Sequence, residues 1–110
     1  MPAIHLLSCD EHSAEVLRDA AVELGLPLTR GKKPPRSERG SREIVIIDGD
    51  RGTEARKALR EAKHKAVCIG LLGEDAAAHE LLDAGADLIL HKPVFSEWAK
   101  VCLMQACCAK

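Results

Sequence analysis

Two charged side chains stand at the ends of apolar runs that otherwise carry no charge. The stretch "IVIID" closes on Asp48, and "LILHKP" sets Lys92 and Pro93 directly behind a run that reads as a buried strand. An unpaired ammonium is too costly to bury, so Lys92 must leave the sheet at its rim and meet a negative group there. Asp48 is the carboxylate placed to meet it. Asp10 and Glu11 follow the first apolar run, and Asp50 lies two residues past Asp48. A carboxylate and an ammonium in this relation make either a structural ion pair or a reactive site. Asp10, Glu11 and Asp50 are further carboxylates near the same rim that could take part in such a site. Each also has a plainer reading, Asp10 as a helix N-cap and Asp50 as a turn residue between glycines.

The elements that must carry these residues can be read from periodicity. Ile4 to Leu7 is a short strand, and Asp10 and Ser13 offer caps for a helix whose apolar residues Ala14, Val16, Leu17, Ala20, Ala21 and Leu24 recur at three and four before Gly25 ends it. Leu26 to Thr29 makes a brief second strand. Arg30 to Arg42, "RGKKPPRSERGSR", holds a Pro-Pro pair through which no ordinary helix can run, so the second crossover helix is expected to be missing or degenerate. Ile44 to Ile47 is β-branched or branched at every position, the mark of a strand buried on both faces. Thr53 caps a helix with apolar Ala55, Ala58, Leu59 and Ala62, and Ala66 to Ile69 is the fourth strand, with Gly70 behind it. A helix from Asp75 to Leu82, a strand from Leu88 to Leu90 and a final helix from Ser96 that buries Trp98, Val101 and Cys102 complete the chain. Strand and helix alternate, which predicts an α/β fold, a parallel sheet with helices on both faces, over residues 1–110 as one domain.

Bulk properties narrow the function further. The net charge of −1 sets up no field toward nucleic acid or anionic lipid, and Phe95 and Trp98 are the only aromatics available for stacking on bases. No apolar run approaches the roughly 18 residues a membrane helix needs, and the N-terminus lacks the layout of a signal peptide, so the expected location is the cytoplasm. Five cysteines without CxxC spacing read as reduced thiols, Cys9 among them as packing rather than a redox sensor.

In doubly wound sheets the ligand site lies beyond the carboxyl ends of the strands, where Ser8 to Glu11, Asp48 to Asp50, Gly70 and His91 to Pro93 fall. With "IVIID" closing on Asp48, "AGAD" at Ala84 to Asp87 and "KP" at Lys92 and Pro93, the whole chain resembles the receiver domains of two-component response regulators. That resemblance implies a flavodoxin-like fold with sheet order 2-1-3-4-5. It also implies a phosphoryl acceptor at Asp48, a phosphoryl-pairing Lys92, a cis Lys92-Pro93 bond, and Mg²⁺ held by acidic residues, for which Asp10, Glu11, Asp48 and Asp50 are the candidates in this sequence. The family's acidic pair falls on Ser8 and Cys9, its switch hydroxyl on Gly70 and its switch aromatic on Ile89, and the segment between Asp48 and the fourth strand is shorter than usual. These departures point to a pseudo-receiver that works by protein contact, with phosphorylation of Asp48 weak or absent. Its partners would be a kinase, an effector domain or another regulator. Docking is expected at the fourth helix, fifth strand and fifth helix of the family, and a homodimer through the last helix would use exposed apolar residues around Val94, Leu103 and Met104.

Other classes have weaker sequence support. A phosphorylatable receiver would use Asp48 and Lys92 with Asp10 or Glu11 as metal ligands. "DEHSAE" partly resembles the DxHxxG segment of cobalamin-binding domains, with His12 as the cobalt ligand, but Glu15 replaces the glycine. A small-ligand flavodoxin-like module would lack any GxGxxG or GxxxxGK[ST] stretch to cradle phosphates. The basic stretch from Arg30 to Arg42 reads as a solvated segment, with contact to a polyanion as the minority reading.

Overall fold

The structure, a computed structural model, describes residues 3–7, 10–31, 43–62, 66–73 and 77–108. Five strands run in parallel in the order β2-β1-β3-β4-β5. They are β1 (Ala3–Leu7), β2 (Leu28–Gly31), β3 (Glu43–Asp48), β4 (Val67–Leu72) and β5 (Leu88–His91), with helices α1 (Glu11–Leu24), α2 (Thr53–Ala62), α3 (Ala78–Ala84) and α4 (Ser96–Cys108). A single 3-10 turn, Gly49–Arg51, follows β3. The architecture is the flavodoxin-like one expected. Residues 32–42, where the second crossover helix was expected to fail, lie outside the described residues.

Strand β3 occupies the centre because its side chains can be buried on either face. Ile44 and Ile46 join Leu17, Ala20, Ala99 and Leu103 in one core, beneath α1 and α4. Val45 and Ile47 join Leu59, Leu81 and Ala84 in the other, beneath α2 and α3. A run without alternation therefore supplies both layers at once.

Local chemistry sets the helix limits. Asp10 caps α1, its carboxylate accepting the Ser13 backbone N–H at 3.0 Å and the Ser13 hydroxyl at 2.9 Å. Gly25 ends that helix in the left-handed region, φ 71°, a conformation open to glycine at little steric cost. The "AGAD" segment has a structural purpose of its own. Asp87 accepts the Cys68 N–H at 2.8 Å and donates its own N–H to the Cys68 carbonyl at 2.7 Å, fastening the end of the α3 turn to the start of β4.

Several element limits differ from the sequence expectation. Strand β2 begins two residues later and takes in Arg30 and Gly31. Thr53 and Ser96 are the first residues of their helices rather than caps before them. Strand β4 continues past Ile69 through Leu72, so Gly70 lies inside the strand instead of behind it. A side chain at Gly70 would press on Leu81 and Ile89, away from the sheet rim.

Helix α4 also turns its other face inward. Trp98 and Val101 are 65% and 47% exposed, whereas Val94 and Leu103 are buried and only Met104 of the expected surface residues is exposed. The helix is apolar nearly all round, so periodicity does not choose its phase. Packing does. Ala99, Cys102, Leu103 and Ala106 are compact enough for α4 to lie close against the Ala14, Ala20 and Ala21 face of α1, and a Trp there would hold the helices apart. Leu103→Ala should therefore cost about 2–5 kcal/mol in urea unfolding, and Trp98→Ser about 0.5 kcal/mol or less. Equal losses would contradict this phase.

Candidate functional site

The carboxyl ends of β1, β3 and β5 bring the charged residues together. Asp48 is the last residue of β3, and Lys92 follows β5, its backbone N–H donating to the Leu72 carbonyl at 2.9 Å. The Lys92-Pro93 peptide is cis. The Lys92 Nζ donates to Asp48, lying 2.7 Å from Oδ1 and 2.8 Å from Oδ2. It also lies 3.1 Å from Asp50 Oδ2 and 3.5 Å from Asp10 Oδ1. Three carboxylates thus surround an ammonium that is only 18% exposed.

Each carboxylate is held by its own local bonds. Asp48 Oδ1 accepts the Asp50 N–H at 3.0 Å, which closes the 3-10 turn and brings Asp50 back over the rim. The Asp50 carboxylate then fills the volume that a Cβ at residue 73 would take, so any larger residue there would have to push that side chain aside. Asp10 is set by its bonds to Ser13. Glu11, grouped with these residues by sequence, pairs instead with Arg30 at 3.2 Å and is strongly exposed. Ser8 and Cys9 lie outside the described residues.

Charge proximity decides the protonation states. Burial by itself would pull the Lys92 pKa down, but hydrogen bonds to Asp48 and Asp50 and their negative charges more than reverse this and hold it well above its ordinary value. Burial would raise the Asp10 pKa, yet the Ser13 bonds and the Lys92 charge leave it lower than usual. Lys92 is therefore held in its charged form beside Asp10.

An open cavity of about 590 Å³ lies over the cluster, lined by Asp10, His12, Asp50, Gly73, His91 and Lys92. His12 sits exposed on the first turn of α1. Asp48 registers with Leu71 of β4, and Leu72 and Gly73 follow at the strand end, none of the three with a hydroxyl; Ile89 is a half-buried residue of β5. Sequence reasoning missed Leu72 and Gly73. The signal was there, because the apolar run crosses Gly70 and continues as Leu71-Leu72 before it breaks at Gly73.

Magnesium takes six oxygens at about 2.0–2.1 Å in near-octahedral geometry. Here the point on which the carboxylates converge is filled by Nζ, and among the described residues no group of three Asp, Glu, His or Cys side chains is arranged to hold a metal ion. The described donor set does not fit Mg²⁺ with Lys92 in this position.

A second surface lies beside the first. Ile89, Leu90, Pro93, Phe95 and Trp98 line a largely apolar groove of about 380 Å³, so both aromatic side chains of the protein face solvent at one place. The described cysteines are unpaired. Burial pushes the Cys68 thiol up to about 12, with the Asp87 charge adding to it, and Cys102 up to about 11, which leaves both as inert packing. Among the described residues no helix is long and apolar enough to cross a membrane.

Because the folded-state pKa of Asp10 is depressed, its ionised form contributes stability above the ordinary value of 3.8, and that contribution fades as pH falls through the lower folded-state value. Asp10→Ala should cost about 1 kcal/mol at neutral pH through loss of the cap. Thermal melts should show the gap to the wild type narrowing below pH 3.8; a gap that widens in acid would contradict the assignment.

No family model matches the sequence, and no curated protein does. Solved structures do match. A response regulator from Thermotoga maritima superposes with a TM-score of 0.77 at 13% identity, covering 99% of each chain. A candidate pilus assembly protein (cpaE) from Burkholderia thailandensis gives 0.75 at 20% identity, covering 99% of this chain and 100% of that one. A CheY-like receiver domain protein from Methanospirillum hungatei gives 0.68 at 11% identity, covering 96% and 90%. With its sheet order and its strand-end aspartate and lysine, the chain has the fold of response regulator receiver domains.

Proposed function

We propose that this protein is an atypical receiver domain of two-component-type signalling that acts through protein contacts, with phosphoryl transfer to Asp48 weak or absent. The observation that carries this reading is the engagement of Lys92 by Asp48 and Asp50 together. Transfer would require an Asp48 oxygen to attack phosphorus in line while the donor's leaving oxygen departs with its electron pair. The product would place further negative charge beside Asp50 and Asp10. Among the described residues Lys92 is the cation placed to offset it, and Leu72 and Gly73, at and just after the end of β4, carry no side-chain hydroxyl to bond a phosphoryl oxygen.

Contact rather than catalysis is then the function, and the apolar groove at Phe95 and Trp98 is the surface for a signalling partner, whether a kinase, an effector domain or another regulator. A homodimer through α4 would use Trp98, Val101 and Met104, the exposed face of that helix. The cytoplasm is the compartment that suits such a partner.

A second reading keeps the phosphoryl switch. It is favoured by the direct approach of Lys92 to Asp48 beneath an open cavity. Incubation with acetyl phosphate and MgCl₂ followed by intact mass measurement separates the two. The expected result is no stoichiometric addition. Addition of one phosphoryl group per chain, lost in Asp48→Asn, would establish the second reading.

A further inference from the structure

The carboxylates at the sheet rim are arranged around a point that the chain itself fills. Asp48 is anchored at the end of β3, Asp50 by the turn that its N–H closes onto Asp48, and Asp10 by its bonds to Ser13. These bonds orient the three side chains from three separate backbone positions. Lys92 Nζ lies at 2.7, 3.1 and 3.5 Å from one oxygen of each. Such distances suit a hydrogen-bonded ammonium and exceed the 2.0–2.1 Å of a Mg²⁺ shell.

The glycine at 73 leaves room for the arrangement. In its contact with Nζ, the Asp50 carboxylate fills the volume that a Cβ at residue 73 would take. The turn after β3 and the end of β4 are therefore shaped so that a second carboxylate closes on the ammonium. A divalent ion entering this point would have to displace Lys92 from Asp48 and Asp50 and leave two cations side by side in a partly buried place. It would also have to shed tightly held water to do so. The ammonium also sheds water there, but its single charge is less strongly hydrated than a divalent ion's and its tether keeps it at the site.

We propose that the Lys92 ammonium is the resident cation of the Asp10, Asp48 and Asp50 cluster, standing where a divalent ion would otherwise bind, so that the folded domain neither needs nor takes up Mg²⁺. This inference concerns the unmodified protein and does not depend on the docking reading. A domain that accepted phosphoryl groups poorly for some other reason could still bind the metal, and the measurement below uses no phosphoryl donor.

Thermal melts of the wild type and of Lys92→Met, each with and without saturating MgCl₂, provide the test. The wild type should be unmoved, and the variant, with three uncompensated carboxylates free to turn toward one ion, should be stabilised by about 4 °C or more. Equal stabilisation of both proteins, or none in a folded variant, would overturn the proposal. If Lys92→Met does not fold, titration of the wild type with MnCl₂ decides the matter. Amide signals of Asp48, Asp50 and Gly73 that keep their widths in a ¹H–¹⁵N spectrum would support the proposal, and selective paramagnetic broadening of those signals would overturn it.

Discussion

The rim of this domain depends on keeping an ammonium charged in a place with little water. Lys92 can stay there only if carboxylates meet it, because the desolvation of an unpaired ammonium would exceed any gain from packing its stem. Asp48 meets it from the next strand but one, Asp50 from the turn after Asp48, and Asp10 from the first helix cap. Every strand end that borders the site is therefore tied to the same charge. In meeting it, Asp50 also comes close over Gly73.

The pairing of Asp48 with Lys92 also has a structural purpose of its own. The aspartate and the lysine stabilise one another across the sheet whether or not a phosphoryl group ever arrives. The "AGAD" segment is likewise accounted for by structure alone, since Asp87 satisfies backbone groups of Cys68 at the start of β4. Residues that look like functional signatures can thus persist for reasons of folding. The positions onto which the resemblance places the family's switch hydroxyl and aromatic hold Gly70, inside β4, and Ile89, in β5.

On the other side of Lys92, helix α4 resolves a conflict between packing and surface composition. The compact residues go inward against α1, and Phe95, Trp98, Val101 and Met104 remain outside. Two large aromatics in water beside an apolar groove are costly to keep exposed unless something covers them. The acidic rim and the apolar groove share His91, Lys92 and Pro93.

Periodicity and strand-end chemistry in the amino-acid sequence were enough to determine the alternation of strands and helices, the doubly buried β3, the Asp10 cap, the Gly25 stop and the pairing of Asp48 with Lys92. Each of these rests on near neighbours in the chain or on the rule that a buried charge must find a partner. Tertiary structure alone decided the phase of α4, because a helix apolar on all sides has no preferred face until a neighbour of given size packs against it. It alone placed Gly70 within β4, since strand length depends on which backbone groups find ladder partners. It also drew in Asp50 and sent Glu11 to Arg30, because the choice among nearby carboxylates turns on distances of an ångström or two that spacing along a chain does not contain.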